Sequence, residues 1–347
     1  GGIGPTFDDI TKEAISGYIG KKLIFSDKTW EKIQQGFRER KITDIPESNK
    51  KQAMIIQGAT IIPNNIGTAA GMLVQHKNKF IFLLPGPPWE FEEMLKNSVI
   101  PLLKEKIYSA NTFIKKSFNI AGESETSVEK KIEDIRAKTE NVEAVWTILA
   151  KPYLVELLLT LPSSQEKAFG YVEKSLAEIF QDSYIENCSV PEALFYTLKE
   201  KKITCCFAES CTGGLAGHLM TEIPGVSQVF NGSIVAYSNK LKKKILRVPK
   251  TTLKKYGAVS EQTAAQMAKG ARKYGKADVS LAITGIAGPD GGSPGKPVGL
   301  VHMAVAISNK HIETTIFHFS GPRSIIKLRA ALAGIDFLRR VIIKNKI

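Results

Sequence analysis

The stretch that most restricts the fold of this chain is Ile203 to Gly214. An apolar, β-leaning run (Ile203 to Phe207) meets Ala208-Glu209-Ser210-Cys211-Thr212-Gly213-Gly214, and a segment with helical spacing (Leu215, Leu219, Ile223) follows at once. Strand, short polar turn and helix in that order belong to an open α/β sheet, whose ligand loops lie at the carboxyl ends of strands. The turn presents Ser210 beside the N–H groups of the next helix, and its two glycines admit a close approach of backbone or ligand. It could hold an attacking hydroxyl or cradle a phosphate; as plain structure, its Ser and Thr could simply cap the helix.

Other segments sort into three regions. Residues 1–110 read as an α/β unit: a glycine-rich turn from Gly1 to Thr11 running into a helix, a second helix from Lys28 to Arg38, a small-residue loop Asn64 to Gly71, and a strand Phe80 to Leu84 ended by Pro85-Gly86-Pro87-Pro88. By the same rule, this unit is expected to use an open parallel sheet. Residues 111–187 give strand (Phe113 to Ile120), one helix (Ser124 to Ala137), two strands (Val145 to Ala150, Tyr153 to Leu161) and a helix (Ser163 to Phe180). Residues 188–347 continue α/β, with a hairpin around Ser308-Asn309 and a final helix whose stripe of Ile325, Leu328, Leu332, Ile335, Leu338 and Ile342 reads as core. The fold class is therefore α/β, with three-layer αβα sheets at both ends and a small α+β domain between.

Composition narrows the function. With 43% hydrophobic and 24% charged residues, the chain reads as soluble and globular, and no apolar run approaches the ~18 residues of a membrane span. A membrane partner is not expected. The four cysteines form no C-x-x-C pair, so a zinc site is not expected and a reduced, cytoplasmic setting fits. The formal charge of +14 invites phosphate-bearing partners, yet the basic residues are dispersed and not interleaved with aromatics, so nucleic acid is not the expected ligand. The loop Gly288 to Lys296 is no P-loop, because Asp290 and Pro297 replace the residues that motif needs.

A serine needs a base, and none of the five histidines shows a Ser-His-Asp arrangement with Ser210. A lysine can serve when burial lowers its pKa. Lys240, just after Tyr237 at the end of the Asn231–Ser238 strand, is the candidate base; it could equally be a surface lysine heading the run to Lys244.

Three motifs in order, Ala208 to Gly214, Phe230-Asn231-Gly232-Ser233 to Lys240, and Thr284-Gly285-Ile286-Ala287-Gly288-Pro289, resemble the carboxy-terminal domain of the CinA family. The amino-terminal turn Gly-Gly-x-Gly-Pro-Thr-x-Asp-Asp-x-Thr, the Asn64 to Gly71 loop and Pro85-Gly86-x-Pro88 with Glu90 resemble that family's molybdopterin-binding-like domain; relatives carry a strand–helix–strand stretch before this turn that is not seen here. The middle segment resembles the family's KH-like domain, without the Gly-x-x-Gly loop that would clamp RNA.

The resemblance implies a nicotinamide-nucleotide amidase that converts nicotinamide mononucleotide to nicotinate mononucleotide and ammonia without a cofactor. Ser210 would be nucleophile, Lys240 base and acid, and Tyr237 its orienting partner. Glu209, Cys211, Thr212, Gly213, Gly214, Asn231, Thr284, Gly285, Ala287 and Gly288 would line the substrate, with Arg323 on its phosphate; Cys211 is the rival nucleophile. It also implies a homodimer, and a divalent metal at Asp8 and Asp9 for an ADP-ribose pyrophosphatase activity of the first domain; the alternative for those acids is helix-start charge. A nucleic-acid-associated competence factor is the third reading.

Overall fold

The computed structural model describes residues 1–106, 112–139 and 143–347. The chain forms two compact units, Gly1–Ala110 and Asn111–Ile347. The boundary expected at 110/111 falls outside the described residues.

The first unit contains α1 (Thr11–Ile19), β1 (Leu23–Phe25), α2 (Asp27–Glu39), β2 (Met54–Ile56), β3 (Thr60–Ile62), β4 (Gly71–His76), β5 (Lys79–Leu83), α3 (Pro88–Met94) and α4 (Ile100–Lys106). Its described strands pair antiparallel, β1 with β2 and β3-β4-β5 in a meander, in place of the expected parallel sheet. The two residues between β4 and β5 dictate this, since a parallel crossover needs a dozen or more. Met72, Val74 and Leu83 pack with Ile3, Ile19 and Ile56 on one side, while Leu73 joins Ile62, Leu84, Met94 and Val99 on the other.

The second unit opens with β6 (Phe113–Ala121), α5 (Glu125–Lys131), α6 (Glu133–Thr139), β7 (Val145–Lys151), β8 (Leu154–Pro162) and α7 (Ala168–Phe180), in an antiparallel sheet of order β6-β8-β7. The single helix expected at 124–137 is interrupted at Ile132. Strand β8 alternates strictly, burying Val155, Leu157, Leu159 and Leu161 under Val128, Ile135, Phe169 and Leu176, as a sheet with one covered face must.

Then follow α8 (Val190–Lys201), β9 (Cys205–Glu209), α9 (Leu215–Thr221), β10 (Phe230–Val235), α10 (Asn239–Lys244), α11 (Lys250–Tyr256), α12 (Glu261–Tyr274), β11 (Val279–Gly285), β12 (Leu300–Ala306), β13 (Ile312–His318) and α13 (Arg323–Lys344). The sheet order is β10-β9-β11-β12-β13, with β10, β9 and β11 parallel and the β12–β13 hairpin antiparallel. The two faces differ in residue size. Phe207, Leu281, Ile283 and Met303 pack on α8, α9 and α13, whereas Ala208, Ala282 and Ala304 let α12 approach closely. This is the three-layer αβα arrangement expected; of the apolar stripe of the last helix, Ile335, Leu338 and Ile342 lie in its core and Leu332 packs against it, whereas Ile325 and Leu328 do not join it.

A buried charge cluster fastens the three-stranded sheet to α13. Asp336, fully buried, accepts from Arg339 at 2.7 Å, from Arg340 Nε at 2.7 Å and from the Tyr153 hydroxyl at 3.1 Å; Arg340 also reaches the Ala121 carbonyl. With every carboxylate oxygen engaged, the burial of this charge is compensated. No helix among the described residues is long and apolar enough to cross a membrane.

Candidate active site

Strand β9 lies between β10 and β11, and its carboxyl end delivers Ser210. The Ser210 N–H donates to the Ile283 carbonyl (3.0 Å), continuing the β9–β11 ladder one residue past the strand. The chain then turns, with Gly213 N–H donating to the Ser210 carbonyl (3.2 Å). Gly213 and Gly214 have φ of +65° and +98°, the left-handed region where a side chain is strained, so both glycines are required by the turn.

Glu209 does not face a ligand. Its carboxylate is fully buried and accepts from Gly214 N (2.9 Å), Ala216 N (3.1 Å), Gly217 N (2.8 Å) and the Ser233 hydroxyl (2.7 Å). The residue expected on the substrate is thus the cap of α9, satisfying the N–H groups that a helix start leaves open. Those N–H groups are no longer available to a phosphate.

The lysine beside Ser210 is Lys242, not Lys240. Lys242 Nζ lies 2.9 Å from Ser210 Oγ, 2.7 Å from the Ala236 carbonyl and 3.0 Å from the Tyr237 carbonyl. Its side chain is fully buried, and that burial pulls its pKa from 10.5 down to about 8. Lys240 is exposed. At 3.6 residues per turn the two positions point about 200° apart on α10, so only one can face inward. The signal was present: Ser238 caps α10 through Leu241 N (3.2 Å), and Leu241, Ile245 and Leu246 form the apolar face on which position 242 falls. Tyr237 contributes its backbone carbonyl; its ring is 62% exposed and makes no contact with the amine that would orient it.

Cys211 is buried, and burial pushes its thiol up to about 12, so it stays protonated near neutrality and is a poor rival nucleophile. Thr212 is fully buried, and its hydroxyl has no hydrogen-bond partner among the described residues. Thr284, next to the Ile283 that holds Ser210, donates its hydroxyl to the Ala258 carbonyl (2.8 Å). A Cβ on Gly285 would stand 2.7 Å from the Leu300 carbonyl, and Ala287 is buried beside it. The Gly288 carbonyl accepts from Arg323 (2.7 Å), which brings the start of α13 to this strand end. Asn231 does not join the group. It sits at the start of β10, opposite the start of β9, and donates to the Gly275 carbonyl (2.9 Å). Being four residues before the strand's carboxyl end puts it about 13 Å from the turn.

In the first unit, Asp8 accepts from the Thr6 hydroxyl (2.6 Å), and Asp9 accepts from the same hydroxyl (2.5 Å) and from Thr6 N (2.9 Å). The Thr6 hydroxyl bond, foremost, lowers the Asp9 pKa. Among the described residues no third His, Cys, Asp or Glu joins them in a metal-binding group. Their geometry is that of a fixed turn, so no chemistry is assigned to a metal there.

The profile of the CinA C-terminal domain matches residues 187–342, and that of the probable molybdopterin binding domain matches residues 1–105. A relative from Caldicellulosiruptor saccharolyticus, bearing the name of the competence-damage inducible proteins, is 39% identical over 99% of this chain and 84% of its own length. A CinA-like protein from Thermosipho melanesiensis is 40% identical over 99% of this chain and 83% of its own. The crystal structure of competence/damage inducible protein CihA from Agrobacterium tumefaciens is 37% identical, with 46% of this chain and 94% of its own covered and a TM-score of 0.42. With identity of this level along nearly its whole length, the chain belongs to the CinA family.

Proposed function

We propose that residues 188–347 hydrolyse the carboxamide of a nicotinamide nucleotide, converting nicotinamide mononucleotide and water to nicotinate mononucleotide and ammonia. The observation that carries this is the hydrogen-bond set of Lys242. A neutral amine has two N–H groups and one lone pair. Two of its neighbours, the Ala236 and Tyr237 carbonyls, can only accept, so both N–H groups are committed to them. The lone pair is then left for the third neighbour, the Ser210 hydroxyl. Burial favours the neutral amine that a general base must be, and in that form the lone pair faces the hydroxyl.

The steps follow. Ser210 gives its proton to Lys242 as its oxygen attacks the carboxamide carbon. The tetrahedral oxyanion is stabilised by backbone N–H groups, for which those of Cys211 and Thr212, the two residues after Ser210, are the candidates. The Lys242 ammonium returns the proton to the departing nitrogen, which leaves as ammonia. Water, deprotonated by the same amine, then cleaves the Ser210 ester and releases the carboxylate. Both bond changes use one proton carrier, and the pair supplies nucleophile and base without a cofactor.

Ammonia release from nicotinamide mononucleotide, measured with EDTA present, tests the reading. Wild type and Cys211→Ala should release ammonia and Ser210→Ala should not. A folded wild type that releases none would overturn it.

A further inference from the structure

The amide-nitrogen and carbonyl ends of a substrate are served by Ser210 and Lys242, but a nucleotide also carries a phosphate, and the turn beside Ser210 has no backbone donors left for it. Glu209 occupies the N–H groups of Gly214, Ala216 and Gly217 and adds a buried negative charge beneath them. An anion arriving here must be met by a side-chain cation. One is in place. A Cβ built on exposed Gly213 would stand 3.6 Å from Lys327 Nζ, and no carboxylate pairs with Lys327 among the described residues. Lys327 follows Arg323 by one turn of α13, so the two lie on one face of that helix. Arg323 holds the Gly288 loop at the end of β11, while Lys327 overlooks the turn at the end of β9. The Gly213-to-Ser210 hydrogen bond closes a four-residue turn, keeping its end Cα atoms within about 7 Å, so the cation lies within a nucleotide's reach of the nucleophile.

The geometry points to Lys327 as the anchor for the substrate's phosphomonoester, and hence as the residue that separates nucleotide amides from nucleoside amides. This rests on the amide-hydrolysis reading of Ser210 and Lys242.

The test compares wild type, Lys327→Met and Lys327→Arg on nicotinamide mononucleotide and on nicotinamide riboside, with inorganic phosphate as a competing anion. Losing a charge-assisted contact should raise KM for the nucleotide about 10- to 100-fold in Lys327→Met. kcat and the riboside KM should stay within about twofold, inhibition by phosphate should weaken in parallel, and Lys327→Arg should recover most of the loss. Equal effects on both substrates, or no effect on either, would overturn the assignment. If wild type hydrolyses neither amide, the amidase reading falls, and calorimetric phosphate binding decides on its own. Binding that weakens tenfold or more in Lys327→Met supports the anchor, and binding unchanged by the substitution sinks it.

Discussion

Two lysines, one in each unit, are buried in nearly the same way. Lys12 on α1 donates to the Lys51 carbonyl (2.5 Å) and the Met54 carbonyl (3.1 Å), and burial lowers its pKa to about 8. Lys242 likewise donates to two backbone carbonyls, and burial brings it to about 8 as well. The difference is the third valence. Lys242 meets a serine hydroxyl at the end of a strand, whereas the two backbone carbonyls account for the hydrogen bonds of Lys12. Burial and a displaced pKa are therefore not enough to mark a base; what counts is which group the lone pair faces. The Lys12 amine ties the segment before β2 to α1, and the same chemistry there serves the fold.

Substitutions can break this parallel. The largest expected effect is that of Ser210→Ala, which removes the nucleophile and should abolish ammonia release to below detection. Lys242→Met should lower kcat by about 10²- to 10⁴-fold, the usual contribution of a positioned general base. Lys12→Met should leave kcat within about twofold; matched losses in the two variants would show that fold integrity, not proton transfer, underlies both.

The pH dependence sharpens the comparison further. If Lys242 must be neutral, kcat/KM should fall about tenfold per pH unit below its pKa of about 8 and level off above it. Lys12→Met should keep that profile. For stability the sign is the reverse of the common paired-lysine case. Each folded pKa lies below the unfolded value of 10.5, so the unfolded chain binds more protons between about 8 and 10.5, and stability from these groups rises with pH across that window. Denaturant midpoints of wild type and Lys12→Met, taken at pH 7 and pH 9.5, should diverge at the higher pH. Lys12→Met leaves two carbonyls unpaired and should cost about 1–3 kcal/mol once the lysine is neutral. A gap independent of pH would show that Lys12 is not displaced.

The smallest effect belongs to Lys240→Ala. Its side chain is exposed, so kcat/KM should change by less than about twofold. A large loss would return the base to the position that the resemblance implied.

Much of the carboxy-terminal layout was legible without coordinates. The β-run, polar turn and helix of 203–223 and the Leu332, Ile335, Leu338 and Ile342 part of the α13 stripe each follow from local rules that hold wherever the segment is placed. The residues that were misplaced depend on packing. Asn231 lies on the strand named for it but at the wrong end, because parallel register and not motif membership decides which end meets Ser210. Glu209 lies beside the serine yet is consumed by the start of α9, which sequence adjacency cannot reveal.

By itself, the sequence determined that a serine would stand at the carboxyl end of a buried strand, followed by a glycine-containing polar turn, in an α/β domain of the CinA family. Strands ending side by side were expected to bring a lysine-rich run to the same edge. Only the tertiary structure decided which lysine turns inward. The docking of α10 against Leu246 and α12 selects one face of the helix, and two residues along a helix is the difference between the core and the solvent. Burial then lowers its pKa and two carbonyls fix where its N–H groups point, and those are properties of the assembled site, not of the residue.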